Sequence, residues 1–425
     1  MRIATSMIFD AGVSSMQQQT AKLLHTQQQV ASGRRMLSPA DDPVAAARAL
    51  EVGQARALNA QYLDTQKAAG ESLGLMENKL VSVGELLTQA RTLAIQGGNA
   101  ALTQRERDNL ADDLREQFQQ LLGLANAKDG LDQYLFSGYM GATTPFSGSV
   151  ESVTASAVSD IAYAGDEGQR RLQVAASRQM AISDSGSEVF MRIRNGNGTF
   201  ATAAAAANAG SGIIDQGAVT DPALWAAGNI PATGLKIVFS TVAGTLSYDI
   251  QDAATSTSLL TAPIAYTAGQ AIPLLKQTAP AADYGARVTI TGTPAVGDTF
   301  TLAPSSNQSL FRTLGDLIDA LEAPPPAAGG NVLLMNRIGA ALANFDQAED
   351  NILRVRATVG SRMSELDSLG SAGEELGVQY EQALSRLQDL DYADAITRLT
   401  QQQTYLEAAQ KSFLKVSGLS LFNYV

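Results

Sequence analysis

The most regular pattern along the chain is an alternation of three- and four-residue steps through Leu73, Met76, Leu80, Val83, Leu87, Ala90 and Ala94. This spacing keeps apolar side chains on one face of a helix and predicts a coiled-coil-like seam. Gly97 and Gly98 end it. Thr103 followed by Glu106 has the form of a capping box, opening a helix through Leu110, Leu114, Gln117, Leu121 and Leu124 that is expected to pair antiparallel with the first.

The two ends of the chain carry weaker stripes. Val13, Met16, Thr20, Leu23, Gln27 and Val30 step by threes and fours, but two of these positions are polar. Near the other end Tyr392, Leu399, Leu406 and Phe413 recur at heptad spacing, with Ala395, Ala409 and Val416 on the same face. Such stripes hold a lone helix poorly and serve well as one side of a shared seam. The ends are therefore expected to order against each other and against neighbouring subunits, with Val13, Met16, Leu23, Val30, Leu399, Leu406, Phe413 and Val416 as candidate assembly contacts. Between the first stripe and the next helix, SGRRMLSPADDP breaks the pattern, and Asp42 before Pro43 reads as an N-cap with proline at the first helical position.

From about Tyr139 to Ser309 the texture changes to Thr, Ser, Gly, Val and Ile. Lys236–Ser240, Leu246–Ile250, Arg287–Thr291 and Asp298–Leu302 are β-branched runs bounded by glycine or proline and read as antiparallel strands. The run Ala203–Ala207 reads equally as helix or loop. After Pro324–Pro326, helical spacing returns through Ile338, Leu342, Phe345, Ile352, Val355, Val359, Met363 and Leu366. Gly370, Gly373 and Gly377 then disfavour continuity by about 1 kcal/mol each. The predicted class is α+β: long antiparallel coiled-coil-like helical arms from both termini with an inserted β-rich outer domain. The expected segments are an N-terminal assembly helix (1–38), a helical arm (39–141), the insert (142–311, dividing near 190–235 if it is two), a return arm (312–390) and a C-terminal assembly helix (391–425).

Composition narrows the function classes. A length of 425 residues implies more than one domain. A net charge of -12 without a dense basic cluster argues against nucleic acid. No apolar run is long enough to span a membrane, and the start lacks the pattern of a cleaved signal. The absence of cysteine removes disulfides and thiol chemistry together.

The start MRIATSMIF, the segment VASGRRMLSPADDPVAAARAL and the end DYADAITRLTQQQTYLEAAQKSFLKVSGLSLFNYV resemble the bacterial flagellin family. Within that family several details resemble its hook–filament junction branch more than the filament subunits. Pro39 and Pro43 flank Asp41 and Asp42, YLFSGYMGATTPF closes the first arm, the return helix carries VRATVGSRMSELD, and the chain ends in LSLFNYV. The YLFSGY segment departs slightly, with only Pro145 where two prolines are common. In the insert, YAGDEGQRRLQV is similar to the family's outer domain. The resemblance implies a ring of copies at the distal end of the hook, between the first hook-associated protein and flagellin. It also implies export by the flagellar type III apparatus without a cleaved signal peptide, with a chaperone on the C-terminal helix beforehand, and an extracellular location.

Candidate chemistry is sparse. His25 is the only histidine, which excludes a multi-histidine metal site. NGNG at Asn195–Gly198 lacks the strand-to-helix context of a phosphate loop. Asp41 with Asp42, and Asp112 with Asp113, are neighbours that do not face each other on a helix. Asp160–Glu167 lacks the spacing of a calcium loop. No catalytic residue, cofactor or metal is therefore expected. Alongside the junction subunit stand a flagellin, a coiled-coil cell-surface adhesin and, least supported, a glycan-active insert.

Overall fold

The structure is a computed structural model that describes residues 5–154, 160–227, 230–324 and 330–418. Among these are eight α-helices: α1 (Thr5–Ser32), α2 (Pro43–Gly97), α3 (Gln104–Ala125), α4 (Val150–Thr154), α5 (Pro222–Ala227), α6 (Leu310–Glu322), α7 (Val332–Gln388) and α8 (Tyr392–Gly418). The strands fall between Phe146 and Gln308. Helices from both ends of the sequence thus bracket a β-rich centre, as the sequence predicts. The chain divides into two compact units, one of residues 1–67, 174–176 and 367–425, the other of residues 68–173 and 177–366.

The larger unit takes its helical core from the strongest periodicity in the sequence. Leu73, Met76, Leu80, Val83, Leu87, Ala90 and Ala94 are all buried. Thr103 caps α3 reciprocally with Glu106, whose carboxylate accepts the Thr103 N–H at 2.7 Å. On α3, Leu114, Phe118 and Leu121 are buried, and the Phe118 ring meets Phe311 of α6 edge-on at 5.6 Å. Phe136, Phe146, Phe190 and Phe311 extend this cluster, with Phe136–Phe190 at 5.2 Å and Phe146–Phe311 at 5.4 Å. The YLFSGYMGATTPF segment therefore anchors its loop by two phenylalanines.

Helix α6 has no counterpart in the sequence reading. Ser309 caps it by accepting the Arg312 N–H at 2.8 Å, and Leu310, Phe311, Leu314, Leu317, Ile318 and Leu321 are all buried. Its apolar residues follow amphipathic helical spacing, with Arg312, Asp316, Asp319 and Glu322 on the opposite face, so the signal is present in the sequence and only its shortness, 13 residues, sets it apart from the long arms.

The four strands expected in the insert are present as Leu235–Val242, Thr245–Asp252, Ala282–Thr291 and Thr299–Pro304. Leu235–Val242 is central in an antiparallel sheet, paired on one side with Thr245–Asp252 and on the other with Thr299–Pro304. Its hairpin to Thr245 turns on Ala243 and Gly244, both at positive φ (49° and 81°), which is the twist a two-residue hairpin requires. The alanine run is neither helix nor wholly loop. Phe200–Ala204 is the sheet's edge strand, paired with Thr299–Pro304. A second sheet is built on Ala282–Thr291, and Phe200, Ile237, Phe239, Leu274, Val288, Ile290 and Phe300 fill the core of the insert.

In the smaller unit α7 runs unbroken through Gly370, Gly373 and Gly377, resolving the break those glycines suggested. The reason is packing. A Cβ on Gly373 would lie 2.8 Å from Leu63 Cδ2, and Asn59 Nδ2 donates to the Gly373 carbonyl at 2.8 Å. Glycine here lets α2 approach the α7 backbone.

Candidate assembly surface

Helices α1 and α8 pack antiparallel, and their register is pinned at both ends. At one end the Phe9 and Phe413 rings lie 5.1 Å apart. At the other, Leu390 N–H donates to the Gly33 carbonyl at 3.0 Å, and Arg35 N–H donates to Gln388 O at 2.8 Å. Gly33 is as far from Phe9 as Leu390 is from Phe413, to within one residue, so the pairing runs without a slip. This register sets Met16 across from Leu406 and Leu23 across from Leu399.

Val13, Met16, Leu23, Val30, Leu399, Leu406 and Phe413 are each half-buried in this single chain. The Val416 side chain lies outside the described residues. Thr20 and Gln27 are exposed, contrary to the predicted stripe, while Thr26 and Gln29 are buried. Ala395 on α8 is fully covered, and Gln29 Nε2 donates to Arg35 O at 2.5 Å.

Many large apolar side chains of the same unit face solvent: Met7, Phe9 and Leu24 on α1, Val44, Leu50 and Leu58 on α2, Leu376 and Val378 on α7, and Ile396, Tyr405 and Leu414 on α8. The larger unit exposes fewer among its described residues. Concentrated exposed apolar surface marks a place of association. Apart from Phe9, which packs on Phe413, these positions lie off the seam's stripe, where alternation by threes and fours gives no signal. Their only signal was an apolar arc wider than a two-helix seam needs.

The loop between α1 and α2 is built by its aspartates. Asp41 Oδ2 accepts the N–H groups of Leu37 and Ser38, both at 2.8 Å, and Asp42 Oδ1 accepts Ala45 N–H at 3.0 Å, as an N-cap does. The Ser38 and Leu37 amides hold the Asp41 carboxyl below the ordinary aspartate value. His25 Nε2 sits 3.1 Å from Asp41 Oδ1, so the sole histidine serves the loop. Asp41 and Asp42 thus have separate structural tasks and form no acid–base pair. Beside this loop, Met36, Leu37, Pro39, Pro43, Ala46 and Leu50 line an apolar cavity of about 750 Å³.

A polar cavity of about 340 Å³ in the larger unit is crossed by ion pairs. Arg362 holds Asp184 through two bonds of 2.9 and 3.0 Å, Arg354 pairs with Glu188 at 2.8 Å, and Arg192 pairs with Glu167. Each cation there already faces a carboxylate. Among the described residues no group of three or more metal-ligating side chains is gathered, and no helix is long and apolar enough to cross a membrane.

Paired terminal helices, a proline- and aspartate-built loop and a β-rich insert define a class. Residues 3–140 match the bacterial flagellin N-terminal helical region and residues 342–425 the bacterial flagellin C-terminal helical region. The chain belongs to the flagellin family. Within it, the chain is 25% identical over 422 residues to the flagellar hook-associated protein 3 of Escherichia coli (strain K12), with 99% of each chain covered. It is also similar to the crystal structure of the flagellar junction protein FlgL from Legionella pneumophila, at 27% identity and a TM-score of 0.68, covering 80% of this chain and 100% of that one. Xanthomonas campestris FlgL is similar at 26% identity and a TM-score of 0.66, covering 79% and 99%.

Proposed function

We propose that this chain is the structural subunit that joins hook to filament in the bacterial flagellum, forming a ring onto which flagellin assembles. The observation that carries the reading is similarity over 99% of the chain, insert included, to a protein named hook-associated protein 3, and over 80% of it to one named flagellar junction protein. A filament subunit would share the helical arms without requiring the same insert.

In this reading the segments 1–38 and 391–425 are the assembly helices, 39–141 and 312–390 are the arms, and 142–311 is the outer domain. Val13, Met16, Leu23, Val30, Leu399, Leu406, Phe413 and Val416 form the seam on which neighbouring copies, the first hook-associated protein and flagellin build. The subunit is not an enzyme. It reaches the cell exterior through the flagellar export apparatus without a cleaved signal peptide, its C-terminal helix held by a chaperone until then. Cysteine-free composition suits such passage, because no disulfide has to be broken or formed.

Deletion of the gene followed by electron microscopy tests the reading. Cells are expected to keep hooks, lose filaments and release flagellin monomer into the medium. Mutants that retain filaments would overturn it.

A further inference from the structure

The cavity beside the α1–α2 loop is open and apolar. Leu37 and Leu50 on its wall are 37% and 66% exposed, and the volume of about 750 Å³ is in the range that holds several side chains. Nothing in the described part of the chain fills it. We infer that it receives the Leu419–Val425 segment of a second copy, so that copies meet head to tail through their terminal-helix units.

The choice of occupant follows from reach. Phe413 lies against Phe9, and α8 runs on to Gly418, away from the loop end of the pair. From Phe9 to Gly33, α1 rises about 36 Å at 1.5 Å per residue, and the turn of α8 beyond Phe413 adds about 7 Å. Residues 419–425, fully extended, span roughly 25 Å. A chain's own segment therefore falls well short of its own cavity. Leu419, Leu421, Phe422, Tyr424 and Val425 give this segment the apolar and aromatic character the cavity lining matches. The contact joins two different surfaces, so it is heterologous and sets a polarity along the assembly. It rests on the assembly reading above and is separable from it. Substitutions in the seam test that reading, whereas the cavity and the tail can be altered with the seam intact.

The full-length protein is titrated with a fluorescein-labelled LSLFNYV peptide and followed by anisotropy. Saturable binding is expected, weakened about tenfold or more by Leu50→Asp, an exposed position whose change leaves the fold in place, and unaffected by Leu353→Asp in the larger unit. Because the chain has no cysteine, a Leu50→Cys protein mixed with a Phe422→Cys protein is expected to give the mixed disulfide dimer in excess over either alone. No saturable binding up to millimolar peptide, equal binding to Leu50→Asp or to a scrambled peptide, or dimerisation of Leu50→Cys with itself to the same extent would each overturn the inference.

Discussion

Gly12 of α1 faces the ring of Phe413 on α8 so closely that a Cβ at Gly12 would stand 2.7 Å from Phe413 Cδ2. The missing side chain is what lets the phenylalanine settle between the helices and reach Phe9. Gly12→Val is expected to push the ring out and weaken the pairing by about 1 to 3 kcal/mol, as overpacking does. Loss of helicity confined to the α1–α8 pair, read by hydrogen exchange, is the outcome that checks it. Unchanged protection there would refute the packing role of Gly12.

Leu406→Asp places a charge in the half-buried seam, where isolation from water makes it costly. Assembly of hook-bound rings is expected to fail, while the helical core of Leu73 to Ala94 stays folded. Electron microscopy of the flagella and circular dichroism of the purified protein separate the two effects.

Leu80 is fully covered in α2. Leu80→Ala is expected to destabilise the larger unit by roughly 2 to 5 kcal/mol through lost burial and the cavity left behind. Calorimetry should place the loss in the larger unit's transition.

The α1–α8 seam is only half-buried, whereas the α2 seam is sealed. In monomeric protein, amides of residues 5–32 and 392–418 are therefore expected to exchange well before those of residues 73–94. Uniform protection across all three stretches would contradict the view that the terminal pair needs neighbours to complete it.

The Asp41 carboxylate is held below the ordinary aspartate value of 3.8, first by the Ser38 N–H and then by that of Leu37. A group with a lowered folded pKa contributes stability that is fully present above its unfolded value and lost as pH falls through the folded one. The order of the α1–α2 loop is thus expected to fade on acidification below 3.8. Asp41→Asn, lacking the charge at every pH, should remove that acid-dependent step. Titration of the Ser38 amide by NMR reads both.

Legibility in the sequence tracked how completely one rule governed a segment. Leu73 to Ala94 obeys helical spacing alone, and every position of that stripe is buried. Gly97, Gly98, Thr103 and Glu106 follow the chemistry of helix ends and were equally plain. The terminal stripe was only partly legible. Burial there depends on contacts outside the stripe: Gln29 is covered where it bonds the Arg35 carbonyl, while Thr20 and Gln27 stay exposed. Gly373 misled because the cost of glycine is a local property, and its benefit, the approach of Leu63 and Asn59, is tertiary. Helix Leu310–Glu322 carries amphipathic spacing of its own, but its 13 residues are short beside the long arms. The loop's internal bonding from Asp41 has a visible signal in the paired aspartates, but the exposed apolar arc of α1, α2 and α8 emerges only once the helices are placed.

Phe9 and Phe413 stand near opposite ends of the sequence, and that separation has a consequence for timing. Closing a loop of some four hundred residues costs more entropy than closing any local one, and its reward arrives only with the final contact. On a ribosome, the residue that completes the seam emerges some four hundred residues after Phe9. Until then α1 is without α8, so the seam can close only after the α8 segment has been both made and released.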